Sequence, residues 1–190
     1  MFQEFLKAFF AIFVIMDVFG NVPIFWSLSQ KIKKSHWQKS IDKAVSIATL
    51  LLFIFLFLGP YILEFFGISI GSFKVAGGII ILIVGLQMVL GLRIFERHLE
   101  KYEFAVVPLA TPLITGPGVI TTIILLVQSV GLWITFIAST VNLLLTWIIL
   151  RFSGILYKFL GRQGSDVLSR VMGLILAAIA IEFIKSGWIA

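Results

Sequence analysis

Six stretches of this chain are apolar over about the 20 residues that an α-helix needs to cross the hydrocarbon of a bilayer. They are Phe5–Ser27, Ala44–Phe66, Ser72–Leu90, Phe104–Gln128, Leu132–Phe152 and Val167–Gly187. In lipid every backbone N–H and C=O must be satisfied within the protein, so such stretches become helices packed in a bundle. What remains of the 190 residues makes only short connectors, with no room for a separate soluble domain. The expectation is one all-α integral membrane domain over 1–190. Composition agrees: with 60% hydrophobic and 13% charged residues and a mean hydropathy of +1.12, the polar surface is too small to cover a soluble fold of this size.

The basic residues set an expected orientation. Lys31, Lys33, Lys34, Lys39 and Lys43 follow the first span, Arg93, Arg97 and Lys101 the third, and Arg151, Lys158, Arg162 and Arg170 the fifth. The opposite side carries only Lys7, Lys74 and Lys185. Because cytoplasmic connectors hold the Lys/Arg excess, both termini are expected outside a cytoplasmic (inner) membrane. The net charge of +6 is then a topology signal, and neither a polybasic lipid patch nor a nucleic-acid partner is needed to explain it. The first span reads as retained rather than a cleaved leader: Asp17 and Pro23 interrupt it and no small-residue cleavage site follows.

Several chemistries have no residues to use. The chain has no cysteine, which removes thiol redox chemistry, thiolate metal sites and disulfides. Its two histidines, His36 and His98, fall in connectors, so no intramembrane metal site is expected, and no Walker-type phosphate loop is present. The expectation is a non-enzyme without cofactor.

The chain also divides into two similar halves, 1–95 and 96–190. A constant offset of 96 puts Gly20 on Gly116, Tyr61 on Tyr157, Lys74 on Arg170, Val75 on Val171 and Gly77 on Gly173. Each half holds three spans, an odd number, so the second must enter the membrane from the opposite side and the repeats are expected to be inverted. Lys74 and Arg170 then read as mirror-placed interfacial cations, and Gly77, Gly78 and Gly173 as close-packing positions.

The first and fourth spans are broken at corresponding places. The first reads Asp17-Val18-Phe19-Gly20-Asn21-Val22-Pro23; the fourth holds Pro108 and then Thr111-Pro112-Leu113-Ile114-Thr115-Gly116-Pro117-Gly118. Proline removes a donor and collides with the carbonyl four residues earlier. Freed backbone groups at membrane depth persist only inside protein or along a wet cavity. Gly20–Pro23 and Thr115–Gly118 are therefore expected to be non-helical, near mid-membrane, and to face one cavity. The run from Pro117 restarts a half-helix whose first N–H groups and positive dipole end suit a carboxylate. Asp17 lies about midway along its span, where an ionised carboxylate costs at least about 2.5 kcal/mol. It could hold a substrate ammonium or a coupling cation, carry a proton, or merely cap the following half-helix. Asn142, with Ser139, Thr140 and Thr146, makes a polar stripe in the fifth span, read equally well as a cavity wall or as interhelical hydrogen bonding. Thr111 and Thr115 flank the second break and could meet a substrate or reseal the backbone. Glu182 and Lys185, three residues apart, read as an interfacial ion pair.

With Gly20-Asn21-Val22-Pro23-Ile24-Phe25, Ala76-Gly77-Gly78-Ile79-Ile80, Pro112-Leu113-Ile114-Thr115-Gly116-Pro117-Gly118-Val119-Ile120 and Arg170-Val171-Met172-Gly173-Leu174-Ile175-Leu176-Ala177 in view, the chain resembles the MarC family of bacterial and archaeal membrane proteins, including the SnatA-type small neutral amino-acid transporters. The likeness runs almost end to end. It implies six spans and, for SnatA-like members, ion-coupled movement of glycine, alanine and similar solutes. The motif positions it carries here are Asp17, Gly20, Asn21 and Pro23 in the first span and Thr115, Gly116, Pro117 and Gly118 in the fourth. Two departures stand out. Val18 follows the acid where the family usually has proline, which moves the expected start of the break further along, and Glu182 stands near a place where glutamine is usual.

The reading that follows is a secondary active transporter of small neutral amino acids, coupled to H⁺ or Na⁺, with Asp17 in the coupling role. Its substrate contacts are expected from Asp17, Gly20, Asn21, Pro23, Thr111, Thr115, Gly116, Pro117, Gly118 and Asn142. Its partners are the amino acid and membrane lipid, with a homo-oligomer allowed. The alternatives are an exporter or channel for another small metabolite, or a non-transporting membrane subunit, which would need neither paired breaks nor a mid-span acid.

Overall fold

The protein is described by a computed structural model over residues 1–30, 33–92 and 114–189. Seven helices are present among them: α1 Phe2–Met16, α2 Val18–Ser29, α3 Lys34–Phe65, α4 Ile70–Leu90, α5 Pro117–Val130, α6 Leu132–Arg151 and α7 Ser153–Trp188. Five segments are long and apolar enough to cross a membrane: 2–23, which joins α1 to the start of α2, 36–65, 70–90, 132–151 and 153–188. The helix α5 is apolar but shorter; its 14 residues rise about 21 Å. The expected Thr111, Pro108 and the basic connector Arg93–Lys101 lie outside the described residues.

Boundaries depart from the hydropathy reading where helix continues through polar residues. The helix α3 starts at Lys34 rather than near Ala44, so Lys39 and Lys43 ride its first turns. After Phe152 the chain does not run on as a loop. It resumes helix at Ser153 and bends at Gly161, whose φ of 63° and ψ of −175° are outside the helical region. Glycine takes that conformation without a Cβ penalty.

Burial is distributed as lipid solvation requires. The outer faces carry exposed apolar residues, such as Ile79, Ile83, Leu86 and Leu90 on α4 and Leu174, Ile175 and Ile181 on α7. The centre belongs to the two broken spans. In α1, Ala8, Ala11, Ile12, Val14, Ile15 and Met16 are buried. In α5, Gly118, Val119 and every residue from Thr121 to Leu126 are buried. The remaining helices pack around this pair.

Small residues set the closest approach, between α4 and α7. A Cβ on Gly85 would stand 2.9 Å from the Gly173 carbonyl oxygen, one on Gly173 2.8 Å from that of Gly85, and one on Gly78 2.9 Å from that of Ala180. With Gly187 against Gly71, these pairs run in opposite directions along the two chains, so α4 and α7 are antiparallel. Lipid supplies no hydrophobic drive between helices, and backbone contact of this kind replaces it with dispersion. The packing role expected of Gly77, Gly78 and Gly173 is realised: a Cβ on Gly77 would overlap the Thr121 methyl group on α5.

Candidate functional site

The first span breaks at Asp17, not over Gly20–Pro23 as the sequence led us to expect. Asp17 is the one non-glycine residue with positive φ among the described residues (φ 40°, ψ 49°). Its N–H donates to the Val14 carbonyl at 3.2 Å, ending α1, while its own carbonyl accepts from the Asn21 N–H at 3.1 Å, beginning α2. Its Oδ1 accepts from the Gly20 N–H at 3.2 Å, the bond of an N-cap residue. One residue therefore caps two helix ends, which offsets the strain of a left-handed aspartate. Gly20–Pro23 lie inside α2. Pro23 is interior to α2, where its missing N–H leaves the Phe19 carbonyl without its helical donor, yet the helix continues through it. Val18, where proline is usual, is helical and buried, and it does not delay the break.

Asn21 also serves the joint. Its Nδ2 donates at 3.3 Å to the carbonyl of Met16, one of the oxygens that the end of α1 leaves over. The other oxygen of Asp17, Oδ2, accepts from the Ser169 hydroxyl on α7 at 2.5 Å. Gly20 is required beneath this carboxylate, because a Cβ there would overlap Asp17 Oδ2 and stand 2.8 Å from Ser169 Oγ.

The second break restarts as the sequence predicts. Gly116 (φ −76°, ψ 175°) precedes Pro117, which takes the first position of α5 where its missing N–H costs nothing. Among the described residues, the first N–H of this helix to reach a backbone carbonyl is that of Ile120, on Gly116 at 3.1 Å. Gly118 and Val119 are buried and remain as first-turn donors. The two breaks are neighbours: a Cβ on Gly118 would stand 2.9 Å from Ile15 Cδ1, two residues before Asp17. Ile15 thus fills the approach to Gly118.

Of the remaining expected contacts, Thr115 is buried and its hydroxyl donates at 3.1 Å to the Ala48 carbonyl of α3, holding the second break to that helix. Asn142 is buried beside α1, its Nδ2 donating to the carbonyls of Phe9 (3.1 Å) and Ala138 (2.9 Å). Asn142 Oδ1, Ser139 Oγ and Thr122 Oγ1 are buried without a hydrogen-bond partner among the described residues. Glu182 and Lys185 form the ion pair their spacing predicts, 3.8 Å apart and largely exposed.

Two features escape a sequence reading. Ser169 lies 152 residues from Asp17. The only local hint is that Ser165, Ser169 and Gly173 recur every fourth residue of an apolar helix. At the other end of the bundle, Trp147 Nε1 donates to Asp42 Oδ1 at 2.7 Å, Arg151 Nη1 lies 3.3 Å from the same oxygen, and the guanidinium sits 5.0 Å from the Trp147 ring. Trp, Arg and Asp at one helix end make an interfacial anchor between α3 and α6. Half-exposed, its ion pair contributes about 0–1 kcal/mol.

A helical bundle with lipid-type surfaces and two interior helix breaks defines a multi-pass integral membrane protein. The chain belongs to the MarC family: the model described as MarC family integral membrane protein matches residues 2–189. It is 37% identical to a UPF0056 membrane protein of Archaeoglobus fulgidus, over 96% of this chain and 91% of the relative. It is 36% identical to a UPF0056 membrane protein of Methanocaldococcus jannaschii, over 97% and 96%. To the UPF0056 membrane protein YhcE of Escherichia coli K12 it is 34% identical, over 98% and 92%. No solved structure matches the chain.

Proposed function

We propose that this chain is a secondary active transporter of small neutral amino acids of the glycine and alanine class, coupled to an H⁺ or Na⁺ gradient. The observation that carries the reading is the meeting of two interior helix ends of opposite chemistry. The end of α1 is rich in acceptors, the Asp17 carboxylate and the carbonyls of its last turn, two of which already accept from the Asp17 N–H and the Asn21 amide. The start of α5 offers donors, the N–H groups of Gly118 and Val119 on the positive end of a helix dipole. An amino acid joins its ammonium and carboxylate through one carbon, so its site needs both walls within a few Å, and Gly118 sits beside Ile15 to supply that proximity. Movement of the Ile15 side chain opens the space in which the substrate sits. Glycines keep the site small and exclude large side chains.

An inverted repeat is part of the proposal, because it provides two equivalent arrangements for alternating access. In its support, an offset of 96 carries 34–65 of α3 onto 130–161, which ends on the bend at Gly161. A Cβ on Gly91 would meet Arg170, and one on Gly187 would meet Lys74. The offset interconverts these two pairs, as an exchange of halves requires. The basic residues near Lys34 and Arg151 are placed on the cytoplasmic side and both termini outside. In a chain without native cysteine, single cysteines label cleanly. Positions 34 and 189 are expected to react from opposite sides, and reaction from one side overturns the topology.

Uptake of a labelled amino-acid panel into proteoliposomes tests the function. Glycine and alanine are expected to accumulate under an imposed H⁺ or Na⁺ gradient, and to stop when the gradient is collapsed. No accumulation and no exchange of any panel member would remove the transporter reading.

A further inference from the structure

A cavity of about 650 Å³ opens between α1, the end of α5 and α7, with Glu4, Lys7, Ala11, Leu126, Ser129 and Phe183 in its lining. On α1, Glu4, Lys7 and Ala11 are followed at helical spacing by Ile15. On α5, Ser129 and Leu126 are preceded at the same spacing by Thr122 and Gly118. The two series run in opposite directions and meet where Ile15 Cδ1 stands against Gly118. Ala11 and Leu126, the deepest of these lining residues, are thus each four residues, a rise of about 6 Å, from Ile15 and Thr122. The cavity points at the second helix break.

Thr122 is the polar side chain between the two. It is buried (1% exposed), and its hydroxyl has no hydrogen-bond partner among the described residues. A helical threonine ordinarily turns its hydroxyl back to the carbonyl four residues earlier. Its neighbour Thr121 does so, donating to the Pro117 carbonyl at 2.9 Å, with its methyl group toward Gly77 of α4. A buried hydroxyl without a partner is destabilising, and one that persists calls for a role. Side chains of a helix tilt toward its N-terminus, so Thr122 leans over Gly118, which has no side chain of its own.

We propose that the cavity is a water-filled vestibule by which the amino acid reaches Gly118 from the side of the N-terminus, and that the Thr122 hydroxyl binds its carboxylate there. This rests on the transporter reading and adds to it a route and a substrate contact. The hydroxyl is a third donor beside the Gly118 and Val119 N–H groups, at the positive end of the same helix dipole. Glu4 and Lys7 give the cavity both signs of charge, so a zwitterion enters without net repulsion. Ala11 is too small to close the floor. Ile15 closes it with a flexible side chain, and rotation of that side chain admits the solute to the break.

Two measurements on the full-length protein test this. Ala11→Cys and Leu126→Cys, made singly in a chain without native cysteine, are expected to react with a charged, membrane-impermeant thiol reagent. They should react only from the side that labels Phe2→Cys. Ala138→Cys, wholly buried on α6, is expected to stay unlabelled. A lipid chain in the cavity would exclude the reagent, so failure of either position to react in a folded, inserted protein overturns the vestibule. The second measurement is thermal unfolding in nanodiscs with increasing glycine or alanine, since a ligand of the folded state raises the unfolding temperature. Thr122→Val keeps the shape and removes the hydroxyl. It is expected to raise the half-saturating concentration about tenfold or more, and Thr122→Ser to restore it. Without ligand, Thr122→Val is expected to unfold no earlier than the wild type. Thr135→Val, which removes a buried hydroxyl bonded to the Gly131 carbonyl, is expected to leave the half-saturating concentration unchanged. An unchanged half-saturating concentration in Thr122→Val overturns the contact, and so does a wild-type chain that glycine and alanine do not stabilise. Uptake without cysteine labelling removes the vestibule and leaves the transporter. Stabilisation by glycine without uptake keeps the contact and removes the transporter.

Discussion

Asp17→Asn is expected to abolish gradient-driven accumulation of amino acid while leaving the protein folded and able to exchange substrate. Asparagine is as good an N-cap as aspartate and tolerates the left-handed conformation. Its amide oxygen can still accept from the Gly20 N–H, so the double cap at the joint survives. Only the charge is lost. A group that couples an ion to transport must change its interaction with that ion during the cycle, and a neutral amide cannot. Asp17→Ala supplies the contrast: it loses the N-cap, which costs about 1 kcal/mol and up to about 2. It also keeps a left-handed backbone that alanine disfavours by about another 1–2 kcal/mol. The alanine variant should lose thermal stability and flux together, the asparagine variant accumulation alone. Proteoliposome uptake beside counterflow, with unfolding measured on the same preparations, separates the two. Full accumulation by Asp17→Asn would reduce the acid to a cap. Glu182 would be a poor substitute in the coupling role, since it is 74% exposed and paired with Lys185.

Gly20→Ala is expected to be strongly damaging. The added carbon would overlap Asp17 Oδ2, and Asp17 Cγ and Ser169 Oγ would stand 2.7 and 2.8 Å away. A side chain in the way can often swing aside at little cost. This carboxylate is held on one oxygen by the Gly20 N–H and on the other by Ser169, so moving it breaks the joint it caps. Overpacking of this kind costs about 1–3 kcal/mol. The lost geometry should also remove transport. Gly118→Ala makes the useful comparison, because its Cβ would meet the free end of Ile15 at 2.9 Å, which can rotate. Thermal unfolding and uptake should rank Gly20→Ala well below Gly118→Ala. Wild-type behaviour of Gly20→Ala would show that Asp17 is not held as the structure has it.

The second break was legible because its signals are local: glycine before proline at a helix start states both the cap and the first helical position. The first was read three residues late for a related reason. Pro23 is the stronger local signal, but α2 continues through it. What decided the break was which residue could cap both ends, and that depended on the Asp17 backbone turning left-handed. Asn21 was placed at the site from its type alone. Its role, sealing the Met16 carbonyl, required knowing where α1 stops.

Hydropathy, proline and charge are properties of neighbouring residues, so the sequence by itself determined the membrane class, five of the membrane-length spans, the interior acid and the helix start at Pro117. The partners of that acid were decided only by tertiary structure. Ser169 reaches Asp17 because α7 lies at one rotation and one height against α2, and that register comes from packing. Gly85 on Gly173, Gly78 on Ala180 and Gly154 under Trp26 are contacts between residues far apart in the chain. Each depends on volumes that no local window contains. The same register turned the Ser165 hydroxyl inward without a partner, while the bend at Gly161 took away the carbonyl it would otherwise have used.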